Sequence, residues 1–164
     1  MSKVLITYAS KTGTTEEVSH KINEILREKG HFVDLKKINE VKNVSEYDAV
    51  ILGSGVRVGK IFSESVNFLK RFQNELKNKK IFYFIVCLTI KDDTPENRKI
   101  VEGFIKPLIQ IIKPIDYQFF AGRFYYSNIS PLFRSFLKKA NIPEGDYIEW
   151  EKITNWVNSI SNQI

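Results

Sequence analysis

A loop rich in hydroxyl side chains follows the first apolar run of the chain. Its pattern, Ser10-x-Thr12-Gly13-x-Thr15, leads directly into a segment of helical periodicity. The start of a helix offers free backbone N–H groups and a partial positive charge, which together bind phosphate groups. The pattern lacks both the ending of a nucleoside-triphosphate loop and the glycine spacing of a dinucleotide fingerprint. It therefore predicts a site for a phosphate monoester without magnesium, and a helix cap without a ligand is the alternative.

A second candidate loop follows the third apolar run. Gly53, Gly55 and Gly59 lie close together there, and Arg57 stands between the last two. Glycines permit a ligand to approach the backbone closely and also permit unusual backbone angles. The loop therefore suits a ligand that lies against the main chain, although glycine spacing of this kind is also typical of a flexible connector.

The elements that position these loops form an alternating series. Five apolar runs suited to strands are separated by segments of helical period, and the runs are residues 4–8, 31–35, 49–52, 81–88 and 117–122. This alternation is typical of parallel strands that helices cover on both faces. Ligands of such sheets bind at the carboxyl ends of the strands. The loops after the first, third and fourth runs are therefore the candidate site.

Length and composition favour one domain over residues 1–164. The hydrophobic fraction of 43% is enough for one core. No apolar run is long enough to cross a bilayer, and the amino-terminal residues do not have the pattern of an export signal. A single cysteine, Cys87, cannot form an intramolecular disulfide or a cysteine-rich metal site. We expect a cytoplasmic protein without a bound metal.

The segment at about 123–146 is predicted to be an insertion, because the connection to the last helix needs fewer residues. The chain has a net charge of +6, and no aspartate or glutamate lies between residues 117 and 143. Residues 130–140 predict a short helix with one apolar side. We expect the segment to face a substrate, a protein partner or an anionic membrane, and packing of its apolar side onto the domain is the alternative. Its basic residues are Arg123, Arg134, Lys138 and Lys139.

The first loop, with its strand and helix, resembles the phosphate loop of flavodoxins, which hold the phosphate of FMN there. One branch of that superfamily, the menaquinone-dependent protoporphyrinogen dehydrogenases, is similar also in residues 47–59, in residues 121–126 and in Tyr147-x-x-Trp150-Glu151. The resemblance implies a flavodoxin-like, doubly wound, three-layer α/β sandwich whose five-stranded parallel sheet has the order 2-1-3-4-5. It also implies an FMN-dependent oxidoreductase of heme biosynthesis.

The cofactor-binding residues that the resemblance implies come from the three loops. No catalytic residue follows from the sequence, and the two histidines have no ligand-like neighbours. Arg57 would stabilise a reduced anionic flavin or meet a substrate carboxylate, and a surface arginine without a role is the alternative. Cys87 is expected to be a small buried hydrophobe. The implied residues are Ser10, Lys11, Thr12, Gly13, Thr14, Thr15, Ser54, Gly55, Val56, Arg57, Val58, Gly59, Leu88 and Thr89.

Electron-carrier flavodoxins are the main alternative, and a flavodoxin-like module without a redox role is another. Carriers are usually acidic and hold the flavin between aromatic side chains, whereas residues 56–58 and 88–91 contain no aromatic residue. These differences favour an enzyme, while the shortness of the insertion favours a carrier. Tyr125 and Tyr126 could stack on the ring instead. The expected partners are a quinone or a redox protein and a porphyrinogen substrate, but no nucleic acid. The protein is also expected to contact an anionic membrane peripherally, on the inner face of that membrane.

Overall fold

The computed structural model describes the whole chain, Met1–Ile164, around a six-stranded sheet. Its strands pair in the order β2-β1-β3-β5-β6, all parallel, and β4 pairs antiparallel with the end of β3. Without the two-residue β4, this is the predicted order 2-1-3-4-5, which is therefore confirmed. The strands are β1 Lys3–Ala9, β2 Phe32–Lys37, β3 Ala49–Arg57, β4 Lys60–Ile61, β5 Lys80–Val86 and β6 Asp116–Phe120.

Helices cover both faces of the sheet, because successive side chains of a strand point to opposite faces. Val4 and Ile6 belong to a cluster of 17 buried apolar residues that also contains the buried faces of α1 and α5. Leu5 belongs to a cluster of 22 residues on the opposite face, with α2 and α3. The helices are α1 Thr14–Glu28, α2 Ser63–Leu76, α3 Pro95–Ile111, α4 Pro131–Lys139 and α5 Trp150–Ser161.

The segment predicted as an insertion forms a small substructure beside the sheet. Two short strands, β7 Arg123–Phe124 and β8 Gly145–Asp146, pair antiparallel, and α4 lies between them in the chain. None of the residues of α4 is buried, so its apolar side is not packed into the core. No helix of the protein combines the length and the apolarity that a membrane crossing needs.

Candidate functional site

A cleft of about 570 Å³ opens where β1, β3 and β5 end. This volume lies within the range of small-molecule sites, which is about 300–1,000 Å³. The position of the cleft agrees with the rule that ligands of doubly wound sheets bind at the carboxyl ends of the strands. A second hollow between β6 and α5 is lined by 8 residues, of which one is hydrophobic, and contains none of the predicted residues. We therefore take the first cleft as the candidate site.

The start of α1 forms one end of the cleft. Gly13 adopts a φ of 88°, a left-handed conformation that favours glycine, and its N–H donates to Ser10 Oγ at 3.1 Å. The first backbone bond of the helix runs from the Glu17 N–H to the Gly13 carbonyl, so the preceding amides have no carbonyl partner within the helix. Although Thr14 and Glu17 have the spacing of a capping box, no side chain caps this helix. These free donors make a suitable anion site.

Lys11 does not extend freely beside these amides. Its Nζ donates to Glu64 Oε1 of α2 at 3.1 Å and lies 5.6 Å from the centre of the Phe62 ring. Backbone hydrogen bonding at Glu64 and the Lys11 ammonium together hold the pKa of the Glu64 carboxyl below its usual value. The positive charge of Lys11 is thus largely satisfied within the protein, and the anion site depends mainly on the amides and hydroxyls of α1 and its loop.

The loop after the third strand is a tight hairpin between β3 and β4. Arg57 and Lys60 face each other in the register, and Val58 and Gly59 form the turn with φ values of 52° and 70°. Positive φ at both positions suits the right-handed twist of a hairpin, but a β-branched residue is strained there. The loop, for which a flexible connector was the alternative interpretation, is therefore a defined turn at the edge of the cleft.

Two small residues of β3 determine how closely the loops approach one another. The buried Ser54 hydroxyl donates to the Gly55 carbonyl at 2.9 Å and accepts the Phe62 N–H at 3.3 Å. A Cβ at Gly55 would lie 2.9 Å from the Phe62 ring and 3.3 Å from Thr15 Oγ1. Ser54 and Gly55 thus hold the end of β3 against α1 and the start of α2.

The loop after β5 contributes Cys87, Leu88 and Thr89 to the lining. Cys87 is 6% exposed, and burial raises the pKa of its thiol to about 11. The thiol is therefore protonated at neutral pH and acts as a small apolar group, as predicted. Leu88 and Thr89 begin a short 3₁₀ turn, Leu88–Lys91.

The wall opposite these loops comes from the insertion. Phe133 of α4 packs on Arg57, whose guanidinium carbon lies 5.0 Å from the ring centre, and on Phe136, whose ring centre lies 6.0 Å away. The insertion residues that line the cleft are Arg123, Phe124, Asn128, Ile129, Ser130, Phe133, Phe136, Leu137 and Ile142.

The tyrosines that were expected to stack at the site do not line it. Tyr126 donates its hydroxyl to the Ile142 and Leu137 carbonyls and packs on the Phe124 ring, with 5.0 Å between the ring centres. Tyr125 faces solvent, with 37% of its surface exposed. Aromatic side chains of the cleft come instead from Phe62, just before α2, and from α3, β7 and α4. The helical spacing of the sequence could predict α4 itself. Only the pairing of β7 with β8, however, brings the side chains of α4 to the cleft.

Most of the predicted cofactor-binding residues meet around this one cleft. Gly13 and Ser54 are the exceptions: Gly13 shapes the start of α1, and Ser54 uses its hydroxyl inside the protein. The lining contains no aspartate, glutamate or histidine. Its three cations are Lys11, Arg57 and Arg123, and Arg123 is paired with Glu17 at 2.6 Å and Asp146 at 2.9 Å.

The residues present fit FMN. A phosphate needs several donors and a positive potential, which the start of α1 provides. A flat ring needs an apolar slot, and 13 of the 26 lining residues are hydrophobic. Both the phosphate donors and the apolar slot are parts of the same cleft.

Curated relatives match part of the chain. The NAD(P)H dehydrogenase (quinone) of Rhodopseudomonas palustris (strain BisB18) is 33% identical over 91 residues, covering 42% of this chain and 46% of that protein. The protein of the same name from Bradyrhizobium sp. (strain ORS 278) is 31% identical over the same shares. The chain thus spans about half the length of the curated relatives it matches, and these are not named protoporphyrinogen dehydrogenases.

Solved structures match the whole fold, and a family profile matches most of it. Oxidised Flavodoxin 1 from Bacillus cereus superposes with a TM-score of 0.64 at 17% identity, covering 99% of both chains. The Fusobacterium nucleatum flavodoxin bound to flavin mononucleotide gives a TM-score of 0.63 at 16% identity, covering 100% of this chain and 99% of that one. The profile of the family described as "Flavodoxin domain" matches residues 5–147, which include all three loops of the cleft. The chain therefore belongs to the flavodoxin domain family.

Proposed function

We propose that this protein is an FMN-dependent oxidoreductase whose electron acceptor is a quinone. The observation that carries the proposal is the anion site at the start of α1, which opens directly into a cleft with apolar and aromatic lining. Structural neighbours of the family bind FMN, which supports the same cofactor here. Curated relatives named NAD(P)H dehydrogenase (quinone) support the acceptor class.

When bound, FMN would supply the redox chemistry between the donor and the acceptor. The chain supplies the binding groups around it. The amides of Thr14 and Thr15 and the Thr12 hydroxyl would hold the phosphate, and α4 would limit the access of water to the cleft. No carboxylate or imidazole lines the cleft, so the lining side chains offer no ordinary general acid or base.

For the electron donor we propose a porphyrinogen. The support is the resemblance of residues 47–59 and 121–126 to the menaquinone-dependent protoporphyrinogen dehydrogenases. A carrier of electrons between proteins is the second candidate, favoured by one observation: two flavodoxins superpose over 99% or more of their own length and of this chain. The two candidates differ in whether a small molecule is turned over.

We also propose that α4 touches an anionic membrane, where quinones reside. Leu132 is 91% exposed and Phe136 is 66% exposed, and they stand four residues apart on one side of the helix. Lys138 and Lys139 follow in its last turn. Apolar side chains beside lysines suit the boundary of an anionic bilayer.

Two measurements test the proposed function. Titration of the apoprotein with FMN and with riboflavin, followed by flavin fluorescence, should give tighter binding of FMN, because only FMN carries the phosphate. Equal affinity would remove the anion site from the proposal. The FMN-loaded protein should then oxidise protoporphyrinogen with a soluble menaquinone analogue as acceptor. Reduction of the flavin by a reductase, without turnover of any quinone, would instead support the electron carrier.

A further inference from the structure

Three cations line the cleft, and two of them already have carboxylate partners. Lys11 pairs with Glu64 at 3.1 Å. Arg123 pairs with Glu17 and Asp146. The lining itself contributes no acidic side chain. The charge of Arg57, unlike the other two, is therefore not balanced by a neighbouring carboxylate of the protein.

Arg57 is nevertheless held in a defined place. It is the last residue of β3, so its backbone is part of the hairpin with β4. Its guanidinium carbon lies 5.0 Å from the centre of the Phe133 ring. Contact between a guanidinium and a ring face leaves the N–H donors at the edge of the guanidinium plane available. An arginine in this arrangement presents a planar set of donors to the cleft.

The wall beside Arg57 is apolar and suits a flat molecule. Phe133 and Phe136 pack on each other with 6.0 Å between their ring centres. Phe104 lies under the turn, because a Cβ at Gly59 would lie 3.9 Å from its ring. Aromatic walls bind planar rings by stacking, and they give little preference for charge by themselves. With a phosphate on the amides at the start of α1, Arg57 is the lining cation without a carboxylate partner, so a preference for an anion at these walls must come from Arg57.

We infer that this cleft selects substrates in which an aromatic ring, such as a pyrrole, carries a carboxylate on a side chain, and that Arg57 is the residue that determines this specificity. The carboxylate accepts hydrogen bonds from the edge of the Arg57 guanidinium, while the ring lies against Phe133 and Phe136. Arginine suits this role because its planar donors match the two oxygens of a carboxylate. The inference rests on the proposed function, since it assigns the substrate class of the same site.

The test uses redox-inert probes and equilibrium binding to the FMN-loaded protein. The probes are 2-naphthoate and its uncharged counterpart 2-naphthamide, and calorimetry or the flavin absorbance spectrum measures their dissociation constants. We expect the naphthoate to bind about fivefold more tightly, since a charge-assisted hydrogen bond exceeds a neutral one by this order. Arg57→Met should abolish the preference. Arg57→Lys should retain only part of it, because a lysine lacks the planar pair of donors.

Two control variants separate specificity from general effects. Lys60 faces Arg57 across the hairpin but does not line the cleft, so Lys60→Met should leave the preference unchanged. Phe136→Leu should weaken both probes equally, because it removes stacking and leaves the contact between Arg57 and Phe133 in place.

Equal affinity of the wild-type protein for the two probes would overturn the inference, and so would an unchanged preference in Arg57→Met. Binding of neither probe by the FMN-loaded protein would overturn it as well. The proposed function fails separately, if the wild-type protein binds FMN no more tightly than riboflavin.

Discussion

Arg123 and Glu17, 106 residues apart in the chain, are joined by two hydrogen bonds at the mouth of the anion site. Nη1 of Arg123 donates to Glu17 Oε2 at 2.6 Å, and Nη2 donates to Oε1 at 3.3 Å. The same guanidinium donates to Asp146 of β8 at 2.9 and 3.1 Å. Hydrogen bonds to both carboxylates raise the pKa of Arg123. The pair connects the insertion to the first turn of α1, and it neutralises a carboxylate beside the amides that would hold a phosphate.

Removal of Arg123 should therefore weaken FMN binding through Glu17. Arg123→Gln leaves the Glu17 charge unbalanced near the phosphate, and we expect FMN affinity to fall about fivefold with little change for riboflavin. Glu17→Gln should have the opposite sign. The double variant should restore FMN affinity to near the wild-type value, because the charge that harms binding is gone. Fluorescence titration measures all four proteins, and an equal loss of FMN and riboflavin affinity in Arg123→Gln would contradict this explanation.

The turn at Val58 stores strain that one substitution should relieve. Val58 has a φ of 52° and is 76% exposed, so its side chain contributes little burial to offset the conformation. Val58→Asn should raise the free energy of unfolding by about 1 kcal/mol, because asparagine tolerates the left-handed region. Gly59→Ala, at a φ of 70°, should lower it by a similar amount. Urea unfolding measures both variants. If neither asparagine nor a wider set of small residues at position 58 stabilises the protein, the turn is not strained.

Two exposed glycines provide a matched pair for the start of α1. A Cβ would meet no atom within 4 Å at either Gly13 or Gly103, so steric contact does not distinguish them. Gly13 has a φ of 88°, and Gly13→Ala should destabilise the protein by about 1–2 kcal/mol. Gly103 lies inside α3, and Gly103→Ala should stabilise it by about 0.5–1 kcal/mol, since alanine favours helices. The same sign of effect for both variants in urea unfolding would contradict the backbone argument.

Cys87 should make stability depend on pH above neutrality. Burial raises the pKa of its thiol from the ordinary value of 9.0 to about 11. Between these values the folded protein binds more protons than the unfolded chain, so the free energy of unfolding should fall as pH rises from about 9 to 11. Cys87→Ala should show a smaller decrease over this range. At pH 8.5 iodoacetamide should also alkylate the native thiol more slowly than the unfolded one, by a factor of roughly ten or more. Equal rates would show that the native thiol is accessible.

Charge reversal on α4 tests the membrane contact. Lys138→Glu with Lys139→Glu should abolish sedimentation with phosphatidylglycerol-containing vesicles, because each lysine contributes about 1 kcal/mol near an anionic surface. Binding of the wild-type protein should weaken with added salt and vanish on pure phosphatidylcholine. Lys70→Glu with Lys77→Glu, at exposed positions in α2 and directly after it, is the control with the same change of charge. Failure of the wild-type protein to bind anionic vesicles at low salt would refute the contact.

Local patterns were sufficient to predict the sheet and the position of the cleft. The alternation of apolar runs with helical segments predicts a parallel sheet, because only buried strands are apolar along their whole length. The Ser10-to-Thr15 loop could be assigned to a phosphate because its chemistry is contained in six consecutive residues. The segment at about 123–146 stays a predicted insertion, which rests on its exceeding the length that a connection needs.

The tertiary structure decided which distant residues meet, since pairing across the chain leaves no periodic pattern in the sequence. Tyr125 and Tyr126, which by sequence could stack on a ring, do not line the cleft, and the Tyr126 hydroxyl donates to the Leu137 and Ile142 carbonyls instead. Phe133 reaches Arg57 only because β7 and β8 pair and direct α4 toward the hairpin. In the same way the balance of the three cations depends on partners far along the chain, such as Glu64 for Lys11. The sequence by itself thus determined the scaffold and which loops meet at one edge of the sheet, whereas the folded chain decided the aromatic wall and the unbalanced charge of Arg57.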